Sequence, residues 1–139
     1  MQQRAYGRII NVASLAGLIP GSSGHTLYGA SKAFLIRFSQ SLALENVQRG
    51  VKVCAVCPGF TYSEFHDVTG TRGVVSKMPN WMWLTAAEVA HQGIEAVERG
   101  EVVFVTGRVN RVIKSLVKLL PDRLALRMVQ KRSKNFRAQ

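Results

Sequence analysis

A tyrosine and a lysine four residues apart are the pair in this sequence whose types and spacing best suit proton transfer. Tyr28 and Lys32 fall in a segment with helical periodicity, so they lie on one helix face, one turn apart. A free phenol has a pKa of about 10, and an ammonium group held close to it favours the phenolate. The hydroxyl of Ser14 could then hold a carbonyl oxygen that the tyrosine protonates. By itself, this spacing is more often that of an exposed pair on a helix without a chemical role.

The elements that must position this pair follow from the periodicity of the apolar residues. The predicted order is a strand at 8–12, a Gly- and Ser-rich loop at 14–24, a helix at 27–47, a strand at 51–57, a loop at 60–84, a helix at 85–99 and a strand at 101–105. Strands that alternate with helices predict an open parallel α/β sheet with right-handed crossovers. Ligands of such sheets bind at the carboxyl ends of the strands, here after Val12, Cys57 and Val105.

Two of the predicted helices carry further signals. The helix at 27–47 has apolar residues on several sides, so we expect it to be covered on more than one face; they are Phe34, Leu35, Ile36, Phe38, Leu42 and Leu44. The helix at 85–99 opens with a capping box, in which the side chains of Thr85 and Glu88 each accept a backbone N–H of the other residue. Gly100 is expected to end this helix.

The loop predicted at 60–84 is long for a compact domain. A loop of this length is usually a lid or a binding loop. After Phe60, its aromatic residues are Tyr62, Phe65, Trp81 and Trp83. The alternative is a surface excursion whose aromatic side chains only pack against the rest of the domain.

The charge of the chain is concentrated at its carboxyl-terminal end. The 139 residues include nineteen Lys and Arg and eight Asp and Glu, a net charge of +11. Residues 108–139 hold ten basic and one acidic side chain, a net of +9, which leaves +2 for residues 1–107. Length and a hydrophobic content of 47% predict one globular domain with this basic tail attached.

The basic tail is predicted to form two amphipathic helices separated at Pro121, because apolar residues recur at helical spacing on both sides of it. Such helices suit an anionic membrane surface. In the alternative, the apolar stripes pack on the domain and the charges are solvated. Acidic substrates such as acyl carriers are a further alternative, and nucleic acid is disfavoured because no recognised binding motif accompanies the charge.

Several other classes of site are not predicted. No apolar run reaches the roughly 18 to 20 residues of a membrane-spanning helix, and residues 1–6 lack the apolar stretch of a secretory signal. Cys54 and Cys57 are expected on opposite faces of one strand, as reduced, buried thiols. His25, His66 and His91 have no ligand spacing among them, so we expect no metal site.

Three motifs taken together resemble the short-chain dehydrogenase/reductase family. They are Ser14 after the first strand, Tyr28-Gly29-Ala30-Ser31-Lys32 at the start of the long helix, and Pro58-Gly59 after the second strand. The resemblance covers about residues 7–107 and implies a partial Rossmann-like, doubly wound parallel sheet, formed by the last three strands with their crossover helices. It implies an oxidoreductase that moves hydride between NAD(H) or NADP(H) and a carbonyl or secondary alcohol, with a cytoplasmic location.

The resemblance assigns catalytic roles residue by residue. Tyr28 corresponds to the family's acid/base and Lys32 to the lysine that favours its phenolate and binds the nicotinamide ribose. Ser14 corresponds to the serine that binds the substrate oxygen. The helix at 27–47 corresponds to one that contributes to a subunit interface, so a homo-oligomer is expected.

The resemblance also assigns binding residues. Pro58 and Gly59 match the turn beside the nicotinamide, and the backbone N–H of Thr61 matches a contact to its carboxamide. Ser63 stands where the family most often has a threonine that touches the cofactor, and it keeps the hydroxyl. The loop at 60–84 matches the family's substrate loop, where three aromatic residues suggest an apolar substrate: Phe65, Trp81 and Trp83.

The family's phosphate-binding pattern, Thr-Gly-x-x-x-Gly-x-Gly, does not occur in these residues, nor do its Asn-Asn-Ala-Gly segment and further catalytic Asn. We therefore expect the carboxyl-terminal half of a dehydrogenase, with a bare strand at one sheet edge and no tight binding of NAD(H) or NADP(H) by the isolated chain. The competing hypothesis is a truncated, non-catalytic relic that acts as a membrane-associating or partner-binding module. A glycine-rich pattern encoded upstream in the same frame favours the enzyme, and a stop codon there favours the relic.

Overall fold

Three parallel strands form the main sheet of the chain. The computed structural model describes residues 1–21, 26–64, 68, 73 and 78–133. The helices and strands are β1 (Gly7–Val12), α1 (Thr26–Asn46), β2 (Val51–Cys57), β3 (Thr61–Tyr62), β4 (Leu84–Thr85), α2 (Ala86–Glu98), β5 (Val103–Val105), α3 (Arg108–Leu119) and α4 (Asp122–Ser133). The main sheet has the order β1-β2-β5, and both neighbouring pairs are parallel. The predicted parallel α/β sheet is confirmed.

Helices cover both faces of the central strand β2. On the α1 side, the buried residues are Ala13, Ile36, Ala55, Cys57 and Val105. On the α2 side, they are Cys54, Val56, Ala96, Val97 and Phe104. Cys54 and Cys57 thus lie on opposite faces of β2, as the alternation of a strand predicts, and both are free, buried thiols.

Burial raises the pKa of both thiols. It raises the pKa of Cys54 from 9.0 to about 11, with a smaller contribution from the carboxylate of Glu101. Burial also raises the pKa of Cys57 from 9.0 to about 12, with a smaller contribution from Cys54. In both cases removal from water disfavours the charged thiolate.

These shifts make stability depend on alkaline pH. Below pH 9 both thiols are protonated in the folded and the unfolded chain, so their full contribution to the free energy of unfolding is present. Above it, only the unfolded chain ionises, and each thiol should lower the free energy of unfolding by about 1.4 kcal/mol per pH unit until its folded pKa is reached. The free energy of unfolding, measured by urea denaturation, should therefore fall less steeply with pH for Cys54→Ala/Cys57→Ala than for the natural chain. The pH range to compare runs from 9 to the folded pKa of Cys54, about 11. Equal slopes would contradict buried, protonated thiols.

Helix α1 is covered on one side only among the described residues. Ile36, Ser39 and Ala43 are buried against the sheet. Phe34 and Leu44 are 69% and 77% exposed, and Phe38 is 46% exposed. The expectation that this helix is covered on more than one face is therefore wrong for the part of the chain described, because α2 packs on the opposite face of the sheet.

The segment predicted as an uninterrupted loop at 60–84 has a short strand at each end. Thr61 pairs with Leu84 and Tyr62 with Thr85, which makes β3 and β4 a parallel two-residue ladder. Its base is closed by a hydrogen bond from Leu84 N to Phe60 O at 3.0 Å. The prediction is wrong at these ends, since tertiary pairing rather than local pattern creates such short strands.

Helix α2 begins as predicted. Thr85 Oγ1 accepts from Glu88 N at 3.2 Å, and the Glu88 carboxylate accepts from Thr85 N at 2.7 Å. The Glu88 carboxylate accepts from Thr85 N and also from Thr85 Oγ1, at 2.8 Å, and these two bonds hold the pKa of the Glu88 carboxyl below its ordinary value. Gly100, with φ of 80°, follows the end of the helix. The capping box and the terminating glycine are both confirmed.

The basic tail contains one helix on each side of Pro121, as the apolar spacing predicts. Asn110 of α3 and Ala125 of α4 are buried, whereas Val112, Leu116 and Leu119 of α3 are exposed. One side of α3 thus packs on the domain while part of its apolar stripe faces outward. No helix in the described ranges is long and apolar enough to cross a bilayer.

Candidate active site

Ser14 lies where β1 ends, at the start of a tight 3-10 turn formed by Leu15–Gly17. Its Oγ accepts from Ala16 N at 3.1 Å, and its side chain is largely buried. Because the hydroxyl is the acceptor in this bond, it keeps its own proton for donation. Leu15 N donates to Pro58 O at 2.8 Å, so the turn is also tied to the end of β2.

The same turn packs directly on the backbone of α1 through Gly17. A Cβ at this position would lie 2.7 Å from both Ala33 N and the carbonyl carbon of Lys32. Only glycine permits so close an approach of two backbones. Gly17 therefore fixes Ser14 relative to the helix that carries Tyr28 and Lys32.

Tyr28 and Lys32 are both half-buried in the first two turns of α1. Lys32 Nζ donates to the carbonyl oxygen of Val12 at 2.9 Å and lies 5.7 Å from the centroid of the Tyr28 ring. The ion pairs recorded within the described ranges do not include Lys32, so no carboxylate there neutralises its charge. The structure thus brings a phenol, an ammonium and the Ser14 turn to the carboxyl end of β1.

The turn after β2 is held by a buried asparagine of α3. Asn110 is 3% exposed, and its Nδ2 donates to Thr106 O at 2.9 Å. A Cβ at Gly59 would lie 2.5 Å from both Nδ2 and Oδ1 of Asn110. Thr61 Oγ1 donates to Gly59 O at 3.2 Å on the other side. The Pro58-Gly59 turn is therefore clamped between β3 and α3.

Replacement of Gly59 by alanine should disturb this turn. We expect Gly59→Ala to lower the free energy of unfolding by about 1–3 kcal/mol, the usual cost of overpacking, as measured by urea denaturation. Asn110→Ala alone should cost about 1 kcal/mol for the bond to Thr106. The double variant should lose less free energy of unfolding than the sum of the two single losses. The reason is that alanine at position 110 leaves room for the new methyl group at position 59. Additive costs would contradict a direct contact.

Aromatic side chains pack together at the base of the loop between β3 and β4. The ring centroid of Trp83 lies 4.7 Å from that of Tyr62 and 5.5 Å from that of Phe60. Trp83 Nε1 also donates to Met78 O at 3.4 Å. Trp81 is 67% exposed. The structure therefore uses Trp83 within an aromatic cluster and leaves Trp81 at the surface.

Of two further predicted site residues, the structure describes Ser63 but not Phe65. Ser63 directly follows β3 and is exposed, and it stands close in sequence to the clamped turn. Phe65 lies outside the described residues. Among the residues that are described, no group of three His, Cys, Asp or Glu could hold a metal ion.

A family model described as short chain dehydrogenase matches residues 1–72 of the chain, which include Ser14, Tyr28, Lys32 and the Pro58-Gly59 turn. The chain belongs to the short-chain dehydrogenase family. It is 37% identical over 111 residues to nodulation protein G of Rhizobium sp. (strain N33), an alignment that covers 78% of this chain and 44% of that protein.

Other members of the family are similar to about the same extent. The chain is 36% identical to the 3-oxoacyl-[acyl-carrier-protein] reductase FabG of Rickettsia felis, over 78% of this chain and 45% of the reductase. A short-chain dehydrogenase from Sphingobium yanoikuyae, solved in complex with NADPH, has a TM-score of 0.65 and 27% identity, and the match covers 86% of this chain and 48% of that one. The chain thus spans somewhat less than half the length of the relatives it matches.

The donors present in this short-chain dehydrogenase sequence fit one end of a nicotinamide cofactor. The hydroxyl of Tyr28 and the ammonium of Lys32 lie one helical turn apart and suit the adjacent hydroxyls of a ribose. The clamped turn at Pro58-Gly59 is tied to the Ser14 turn, because Leu15 N donates to Pro58 O at 2.8 Å. A glycine-rich phosphate-binding pattern does not occur in these residues.

Two residues that position this site could not be found from sequence patterns. Gly17 looks like an ordinary loop glycine, and its role depends on contact with Ala33, sixteen positions later. Asn110 lies in the basic tail, where only the apolar stripe and the charges stood out. The available signal was its neutral side chain beside Val117 on the helix surface, and this signal does not point to Gly59.

Proposed function

We propose that this protein is an NAD(P)-dependent oxidoreductase that moves hydride between a nicotinamide cofactor and a carbonyl or secondary alcohol. The observation that carries the proposal is the placement of Lys32 Nζ, 5.7 Å from the Tyr28 ring centroid and bonded to Val12 O, beside the turn capped by Ser14. Family membership supports the same chemistry.

The bound cofactor would supply the hydride in reduction and accept it in oxidation. In the reductive direction, Ser14 donates a hydrogen bond to the carbonyl oxygen of the substrate, and Tyr28 gives that oxygen the proton that completes the alcohol. The ammonium of Lys32 stabilises the phenolate that remains on Tyr28 and binds a ribose hydroxyl. In the oxidative direction, the Tyr28 phenolate takes the proton from the alcohol.

The proposed substrate is a carbonyl compound with an apolar chain. Relatives that bear the name 3-oxoacyl-[acyl-carrier-protein] reductase support this class, and the exposed Trp81 offers an apolar surface near the site. The similarity to a structure solved with NADPH makes NADPH the cofactor to test first. Thr61 and Ser63 are proposed to contact the nicotinamide, and Phe65 and Trp83 to belong to the substrate loop.

We further propose that the protein is a cytoplasmic homo-oligomer that associates through α1. Four large apolar side chains of α1 are exposed among the described residues: Leu27, Phe34, Phe38 and Leu44. The rings of Phe34 and Phe38 lie 6.2 Å apart and form one continuous patch. The mass of the protein in solution tests this proposal.

The activity is tested with a protein that joins this chain to the family's glycine-rich phosphate-binding half, by following NADPH and NADH oxidation with two substrates, a 3-oxoacyl thioester and an aliphatic ketone that lacks the thioester. Turnover of either substrate is expected with at least one cofactor. Alcohol oxidation in the reverse direction serves as the second measurement. If neither direction proceeds with either cofactor, the non-catalytic hypothesis is favoured and the oxidoreductase proposal is wrong.

A further inference from the structure

Helix α3 has an apolar strip that the domain does not cover. Val112 and Leu116 are each 58% exposed and Leu119 is 82% exposed. At 100° per residue these three side chains fall within one narrow arc of the helix, so they form a continuous strip. Val109, Ile113 and Val117 lie on the adjacent arc and are half-buried, so the helix is anchored by one part of its apolar surface while the strip points outward.

Basic side chains border the strip. Arg108, Arg111 and Lys118 are exposed on the arc next to Leu119 and Val112. Residues 108–139 contain one acidic side chain against ten basic ones, so no balancing charge surrounds the strip within its own segment. An apolar strip with a one-signed cationic border is the pattern of a helix that lies in the plane of an anionic lipid surface.

A cleft lies between β5 and α3. It has a volume of about 390 Å³, and its lining includes Arg99, Arg111, Lys114 and Ser115 together with Glu101. The Glu101 carboxylate is held by Arg99 at 2.8 Å. Arg111 and Lys114 form no ion pair among the described residues. Arg111 Cζ lies 5.6 Å from the centroid of the buried Phe104 ring, and Lys114 is half-buried. The docking surface therefore relies on the exposed cations Arg108 and Lys118.

We propose that α3 docks the protein on an anionic membrane surface, with Val112, Leu116 and Leu119 inserted among the acyl chains and the flanking cations on the headgroup phosphates. The proposal does not depend on catalysis. Helix α3 follows β5, at the opposite edge of the sheet from β1, and its exposed strip points away from the domain.

Vesicle co-sedimentation of the full chain tests this docking. The protein should sediment with vesicles that contain phosphatidylglycerol and not with vesicles of phosphatidylcholine alone, and added salt should release it. Leu116→Ser should weaken binding about ten-fold because one buried apolar side chain is lost. Ile94→Ser is the matched control, since Ile94 is 56% exposed on α2 and outside the strip.

A second pair of variants tests the charges. Arg108→Gln/Lys118→Gln should weaken binding about 25-fold, near five-fold for each charge, while Arg37→Gln/Arg49→Gln on another surface should leave it unchanged. Circular dichroism verifies that every variant remains folded. Binding to neutral vesicles with equal strength, equal effects of Leu116→Ser and Ile94→Ser, or no vesicle binding would each overturn the proposal. Self-association or capture of an acidic acyl-carrier protein that Leu116→Ser abolishes, without vesicle binding, would assign the strip to that partner instead.

Discussion

In a protein that joins this chain to the family's glycine-rich phosphate-binding half, Tyr28→Phe is expected to reduce turnover by about 10²- to 10⁴-fold, the usual contribution of a positioned acid/base. The substitution removes one hydroxyl and leaves the ring beside Lys32 Nζ, which lies 5.7 Å from its centroid. The ring packing of this half-buried residue is therefore preserved, and so is the bond from Lys32 to Val12 O. The loss should appear in kcat, measured by NADPH oxidation, while the dissociation constant of NADPH changes little.

Tyr6→Phe is the matched control for this prediction. Tyr6 is an exposed tyrosine that also has a cation close to its ring, with Arg8 Cζ 4.3 Å from the centroid. It lies before β1 and away from the Ser14 turn, so its hydroxyl should have no effect on turnover. Normal turnover by Tyr28→Phe, or an equal loss in Tyr6→Phe, would remove Tyr28 from the chemistry.

Gly17→Ala should produce the largest loss of stability among single methyl additions near the site. The new Cβ would lie 2.7 Å from Ala33 N and 2.9 Å from Ile36 Cδ1, and the backbone atom cannot rotate away. We expect the free energy of unfolding to fall by about 1–3 kcal/mol. The Ser14 turn must also move off α1, and a displacement of about 1 Å at a catalytic group can lower turnover by about 100-fold.

Gly21→Ala separates crowding from a general effect of removing a loop glycine. Gly21 belongs to the same Gly- and Ser-rich segment, but a Cβ there meets no atom within 4 Å. Alanine at this position should leave stability unchanged or raise it slightly, because it restricts the unfolded chain. Urea denaturation and turnover should therefore distinguish the two variants, and similar losses in both would contradict the close contact of Gly17 with α1.

Patterns local in sequence predicted most elements of the fold. The apolar runs located β1 and β2 within a residue of their observed ends, and Thr85 with Glu88 located the start of α2, because strand alternation and capping depend on neighbours a few positions away. The last strand was predicted at 101–105 and is observed at Val103–Val105. The strand pair β3 and β4 escaped prediction, since two residues carry too little pattern to specify a partner more than twenty positions away.

The sequence by itself determined which chemical groups this protein has and the order of the elements that carry them. The four-residue spacing places Tyr28 and Lys32 on one face of a helix, and the family motifs assign them to acid–base chemistry. Only the tertiary structure decided how Ser14 is held beside them and what clamps Gly59, because Gly17 and Asn110 act through contacts with residues distant in sequence. Only the folded chain also showed which part of the apolar stripe on α3 is anchored and which part is exposed, since helical periodicity identifies an apolar face without revealing what covers it.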